Sequence, residues 1–313
     1  MPKTKIKVVG VGGAGSNAIA RMAACKIQGV ELIAINCDIQ DLRKTKSKAH
    51  QILRIGKNLT KGLGAGMNPE IGRLAAEENK EEISPLLSGA DMVFITCGLG
   101  GGTGTGAAPV VAEIAKSSGA LVVGVVTTPF SFEGIVRAQV AKKGLDLLQT
   151  KVDTLLIIPN DKVLLQSDKN TTLVIAFWAC DEVLRQAVQG ITDLITLPGL
   201  INVDFADVRT IMQDSGPAFF GQGRSKGERR IEQAVNLAIN SPLLDFSIAG
   251  AKGILFNISG GDDLSLIEID EAAKIITKNA DSKAKVIFGA VHDKRLAKEE
   301  IKITVIATGF EKK

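Results

Sequence analysis

At 313 residues, 45% of them hydrophobic and 23% charged, the chain is long enough for about two globular domains, and none of its apolar runs approaches the ~18 residues of a membrane span. The net charge of +4 is spread over interleaved acids and bases. The one basic cluster, 224–230 (RSKGERR), reads as a solvated helix start, and one Trp and no Tyr leave little for a base-stacking platform, so no nucleic-acid partner is expected. Four cysteines without a C-x-x-C pair and two isolated histidines, His50 and His292, exclude a disulfide framework, a zinc ribbon and a Ser-His-Asp hydrolase. With no leader-like apolar stretch at the start, a cytoplasmic protein is expected.

From residue 5 to about 160, short β-branched runs at 6–9, 32–35, 92–96, 121–126 and 155–158 alternate with helical patterns. This alternation predicts an α/β, Rossmann-like domain: a mostly parallel sheet with helices on both faces. Loop 10–17 (GVGGAGSN) follows the first strand, opens a helix, and satisfies G-x-G-x-x-G at Gly10, Gly12 and Gly15. Alone that pattern is weak, and with Asp38 placed where an acid could hold a ribose hydroxyl it leaves a nicotinamide dehydrogenase open. The richer loop is 98–106 (GLGGGTGTG), between an apolar strand and a helix. Glycines let successive amides turn toward one anion, the helix N-terminus adds partial positive charge, and two threonine hydroxyls can donate. A second glycine loop is more than a dinucleotide fold needs. Two such loops at strand ends of one sheet fit a single triphosphate gripped from two sides, and a third turn, 62–69 (GLGAGMNP), could close over the terminal phosphate. No P-loop lysine follows these glycines, so amides, dipoles and a divalent cation would have to neutralise the phosphates.

Between 171 and 197, apolar residues recur at 173, 177, 180, 184, 188, 191 and 195, predicting one long helix of roughly 40 Å that stops at Pro198-Gly199. Helices at about 205–213, 224–238 and 264–277 and strands near 253–258, 285–290 and 302–308 then predict a smaller α+β domain. The chain therefore divides into 1–170, a nucleotide-binding domain; 171–200, a long central helix joining the domains; and 201–313, the C-terminal domain.

The motifs GVGGAGSNA, TKGLGAGMNPE, GLGGGTGTGAAP, PFSFEG, IPND and NVDFADVR, in this order over residues 5–310, resemble the tubulin/FtsZ family, on its bacterial FtsZ side rather than that of eukaryotic tubulin. The resemblance implies a GTPase that binds GTP or GDP, assembles head to tail with copies of itself, and serves cell division at the division site. It further implies that Gly12, Gly13, Ala14, Gly15, Ser16 and Asn17, with Gly100, Gly101, Gly102, Thr103, Gly104 and Thr105, surround the phosphates, Asn17 also reaching the base. Ala65 and Gly66 come from the third turn. Glu133 and Arg137 would hold the ribose, Asn160 would line the pocket, Phe177 would pack on guanine and Asp181 would read its edge. Guanine offers two adjacent donors that one carboxylate accepts together, whereas adenine presents an acceptor there, so a mismatch leaves a buried carboxylate unpaired.

The hydrolytic residues implied are Asn202, Asp204 and Asp207, supplied to the nucleotide of the next subunit. Mg2+ would sit on the phosphates without side-chain ligands, and K+ is a further candidate. A structural reading stands beside this one: Asp204 and Asp207 have the spacing of a helix cap, and Phe177 falls on its helix stripe. The alternatives left are a filament-forming relative that does not hydrolyse and the dehydrogenase. Trp178 departs from the family, which usually has a small or polar residue there. The sequence ends at Lys313 without the family's usual C-terminal partner-binding peptide, so membrane-tether recruitment is not implied, although division-ring partners are.

Overall fold

The computed structural model describes residues 4–164, 171–240, 248–278, 280–293 and 296–310. The chain forms two compact units that divide between Gln189 and Gly190.

In the first unit the chain runs β1 (Ile6–Val11), α1 (Gly12–Ala24), β2 (Val30–Asn36), α2 (Ile39–Thr45), β3 (Gln51–Arg54), α3 (Lys57–Thr60), α4 (Pro69–Glu78) and α5 (Lys80–Leu87). It continues through β4 (Met92–Gly98), α6 (Gly102–Ser117), β5 (Leu121–Thr128), a 3-10 turn at Ser131–Glu133, α7 (Ile135–Gln149), β6 (Thr154–Pro159) and α8 (Asn160–Leu164) into α9 (Leu173–Thr196). The strands pair in parallel in the order β3-β2-β1-β4-β5-β6. Their near-continuous apolar sequences are those of strands covered on both faces, and in β4 every residue from Met92 to Cys97 is buried. The order reverses at β1, which lies between β2 and β4. In open α/β sheets the crevice beyond the carboxyl ends of the strands at such a reversal is where ligands bind. Both long glycine loops emerge there, and the helices that follow begin within them, α1 at Gly12 and α6 at Gly102.

The division between units falls inside α9. Along this helix the apolar stripe is buried at Cys180, Leu184, Val188 and Ile191, but at its N-terminal end Leu173 and Phe177 are exposed, together with Val174, Ile175 and Trp178.

The second unit adds α10 (Phe205–Met212), β7 (Gly216–Lys226), α11 (Arg230–Ile239), β8 (Gly253–Gly260), α12 (Leu266–Thr277), β9 (Lys285–His292) and β10 (Glu300–Thr308). Its strands run β7-β10-β8-β9, with β10 antiparallel to both neighbours and β8 parallel to β9. A separate apolar core, with Phe219, Phe256, Ile258, Ile303 and Val305, packs beneath α11 and α12.

The reading of 224–230 as a solvated helix start is corrected. Arg224 to Lys226 end strand β7, and α11 begins only at Arg230, which is buried and held by Asp263 at 2.6 Å and Glu268 at 2.7 Å. Strand β7 is absent from the sequence reading, as is the edge strand β3.

Candidate nucleotide-binding site

A cleft of about 360 Å³ opens at the reversal point, and every residue lining it belongs to the first unit. Gly13 and Ala14 come from the β1 loop, Gly64, Ala65 and Gly66 from the turn before α4, and Gly101, Gly102, Thr103 and Gly104 from the β4 loop. These loops meet backbone to backbone. A Cβ on Gly12, whose φ is +76°, would lie 2.7 Å from the Gly104 nitrogen, and one on Gly102 would lie 2.4 Å from the Gly66 carbonyl oxygen. The Gly102 amide donates to that carbonyl at 2.7 Å. Side chains would pry the loops apart, so glycine is required by the close approach.

The remaining loop residues lie behind this surface. Gly15 lets α1 press on the sheet, because a Cβ there would sit 2.6 Å from the Thr96 carbonyl oxygen. The Ser16 hydroxyl is buried without a partner, and Asn17 is exposed on α1. The Thr105 hydroxyl accepts from the Gly100 amide at 2.9 Å and braces the loop from within.

The opposite wall carries larger side chains. Glu133 accepts from the Phe130 amide at 2.8 Å and pairs with Arg137 at 3.1 Å, and both line the cleft with Asn160. From α9 come Phe177, Cys180 and Asp181. The Phe177 ring meets Phe130 edge to face at 5.2 Å between centroids and is 42% exposed, which leaves a face free to stack on a planar ligand. Burial pushes the Asp181 carboxyl up to about 7, against the pull of the Arg21 charge. Burial likewise pushes the neighbouring Cys180 thiol up to about 12, leaving it an inert part of the wall.

Sequence reasoning missed Asn36, Asp41, Thr127 and Pro129, all in the lining, and named Asp38 only for a dinucleotide's ribose. Their signal was position: each lies at or just past the carboxyl end of β2 or β5. Asp38 does not stand free for a ribose. Its carboxylate caps α2, accepting from the Gln40 and Asp41 amides at 2.7 and 3.3 Å.

Three lining side chains hold a buried polar atom with no partner in the protein: Asn36 Nδ2, Asn160 Oδ1 and Arg137 Nε. Orphaned groups of this kind cost roughly 1–3 kcal/mol each unless a ligand or water satisfies them. The cleft also holds four carboxylates, Asp38, Asp41, Glu133 and Asp181, against the single guanidinium of Arg137. No cluster of three or more His, Cys, Asp or Glu side chains suited to a metal occurs among the described residues.

Asn202, Asp204 and Asp207 belong to the second unit, and none lines the cleft. All three are exposed. The Asn202 side chain accepts from the Gly199 amide at 2.8 Å. Asp204 and Asp207 form a capping box on α10: Asp204 accepts from the Ala206 amide and Asp207 from the Asp204 amide, both at 3.3 Å.

Glycine loops that converge at the reversal point of a parallel sheet, faced by an aromatic ring and a half-buried carboxylate, are the arrangement of a nucleotide-binding α/β protein. Residues 5–168 match the GTPase domain of the Tubulin/FtsZ family, and residues 216–311 the C-terminal domain of the FtsZ family. An FtsZ dimer from M. jannaschii is 50% identical and superimposes with a TM-score of 0.91, the match covering 98% of this chain and 88% of that one. CetZ2 from Haloferax volcanii, in a GTPgS-bound protofilament, shares the fold at 21% identity and a TM-score of 0.82, covering 98% and 94% of the two chains. The chain belongs to the tubulin/FtsZ family and is a GTPase of the FtsZ type, in the class of GTP-dependent polymerising proteins of cell division. No helix among the described residues is long and apolar enough to cross a membrane.

Proposed function

We propose that the cleft binds one GTP and that hydrolysis is completed by Asn202, Asp204 and Asp207 of the next subunit in a head-to-tail filament at the division site in the cytoplasm. The convergence of the two glycine loops, with Gly12 against Gly104, is the observation that carries the phosphate half of this reading. Amides of 13–14 and 101–104 and the starts of α1 and α6 take the phosphates. Glu133 and Arg137 take the ribose, Asn160 lines the pocket, Phe177 stacks on guanine and Asp181 accepts its two edge donors. The three orphaned polar atoms suit a ligand rich in donors and acceptors.

A triphosphate entering among four carboxylates needs a cation, and with no metal-binding side-chain cluster among the described residues the place for Mg2+ would be on the phosphates, where it would supply charge neutralisation. K+ is a further candidate ion. Asp204 and Asp207 are exposed while their capping bonds hold them in fixed geometry, which suits them to orient water against a phosphate on another molecule. A contact between one subunit's cleft and another's α10 loop is heterologous and does not close, so it propagates as a filament. CetZ2 from Haloferax volcanii, which shares the fold, was solved as a GTPgS-bound protofilament.

The test is phosphate release from GTP with Mg2+, expressed per protein molecule, over a dilution series. The specific rate is expected to be near zero below a threshold concentration and to rise above it. A rate independent of concentration would mean that each chain carries a complete site.

A further inference from the structure

The guanidinium of Arg21, on α1, is fixed from two directions by α9. It lies 3.5 Å from the centroid of the Trp178 ring, close enough for a strong cation–π contact, and it donates to Glu182 at 3.2 Å. Glu182 is itself clamped by Arg185 at 2.6 and 2.9 Å and by Gln186 at 3.1 Å. Trp178, Asp181 and Glu182 share one face of α9 by their i, i+3 and i+4 spacing, and Asn17 and Arg21 share one face of α1. The Arg21 Nε is buried and without a partner, so the two contacts do not exhaust this side chain. Held there, the Arg21 charge is within electrostatic reach of the Asp181 carboxyl, one residue from Glu182 along α9.

We propose that Arg21 is a positioning residue for base recognition: braced on Trp178 and Glu182, it holds Asp181 in the charged form that accepts both guanine donors. The inference rests on the nucleotide reading given above and adds a residue that lines no part of the cleft. It also gives Trp178 a role, as the platform that keeps the cation in place. Burial works against the charged form of Asp181, and Arg21 is the charge that works for it. The other ionisable groups that line the cleft with Asp181 are Asp38, Asp41, Glu133, Cys180 and Arg137, and the Glu182–Arg185 pair follows it on α9.

The experiment is equilibrium binding of fluorescently labelled GDP between pH 5.5 and 8.5 to the full chain and to Arg21→Met, Arg21→Lys, Asp181→Asn and the Arg21→Met/Asp181→Asn double variant. The Asp181→Asn background subtracts titration of the nucleotide's own phosphates, which falls near pH 6. Affinity of the unsubstituted protein is expected to rise with pH through neutrality. Arg21→Met should move that midpoint up by about one unit, a loss of roughly fivefold at pH 7 that approaches roughly tenfold below it and shrinks as the pH rises, while Arg21→Lys, which keeps the charge, shifts it by less than half as much. In the Asp181→Asn background Arg21→Met should change affinity less than about twofold. An unshifted midpoint in Arg21→Met, equal shifts in the Met and Lys variants, or an equal loss with and without Asp181 would overturn the proposal while leaving the GTP reading intact. Failure of the unsubstituted protein to bind labelled GDP at any pH would instead overturn the GTP reading, and this inference with it.

Discussion

Asp181 is the residue at which folding and binding pull in opposite directions. Its carboxyl titrates near 7 in the folded chain, well above the ordinary value of 3.8. A folded-state value raised above the unfolded one contributes stability that is fully present below the unfolded value and is lost as pH rises through the folded value. In nucleotide-free protein, Asp181→Asn is therefore expected to be more stabilising at pH 8 than at pH 5, by about 2 kcal/mol after discounting for partial exposure. Thermal unfolding at the two pH values checks this, and an equal effect at both would show that folding does not raise the titration of this carboxyl. Asp181 was named in the sequence through the family resemblance, and the structure places it in the cleft lining. Arg21 was not named, because no spacing rule connects residue 21 to residue 178; that contact exists only once α1 and α9 are packed.

At the scale of elements, the cleft owes its shape to helices that touch through glycine. α6 carries Gly102 and Gly106 one turn apart, and α4 lies directly on them. A Cβ on Gly106 would fall 1.8 Å from the Pro69 carbonyl oxygen, and one on Gly72 2.3 Å from that of Gly102. This contact fixes the turn 62–69 against the loop 98–106. Gly106→Ala is expected to cost about 1–3 kcal/mol in chemical unfolding, whereas Gly101→Ala, which meets nothing within 4 Å, should cost less than about 1. Equal losses would mean that the glycines serve backbone freedom and not helix approach. Glycine also explains what the sequence concealed. Strand β7 went unread because glycines interrupt it, and its Gly221 and Gly223 let α11 sit on the bare strand, where Cβ atoms would come 1.9 and 2.0 Å from the Ala238 and Ala234 carbonyl oxygens. The charge-rich 224–230 looked solvated for a similar reason: the partners that bury Arg230, Asp263 and Glu268, lie more than thirty residues away.

On the scale of the whole molecule, the parallel half was legible because each buried strand is a continuous apolar run, and the glycine loops mark where the strand order turns. The antiparallel pairing of β10 with β7 and β8 left no comparable trace. The proposed head-to-tail hydrolysis can be tested at Asp207. Asp207→Ala is expected to bind GTP within about twofold of the unsubstituted protein while turnover falls at least ~100-fold, since orienting water contributes on that scale and the lost cap bond costs α10 only about 1 kcal/mol. Asp181→Ala should be as inactive for the opposite reason, since its α10 loop is intact and its cleft has lost the acceptor for guanine. If cleft and loop meet between subunits, the two inactive proteins complement each other. Every junction that sets the cleft of an Asp207→Ala subunit against the loop of an Asp181→Ala subunit is complete, so an equimolar mixture that co-sediments should recover up to roughly a quarter of full activity. If both residues serve the same chain, no mixture restores any activity, because each molecule carries one defect that its neighbour cannot repair.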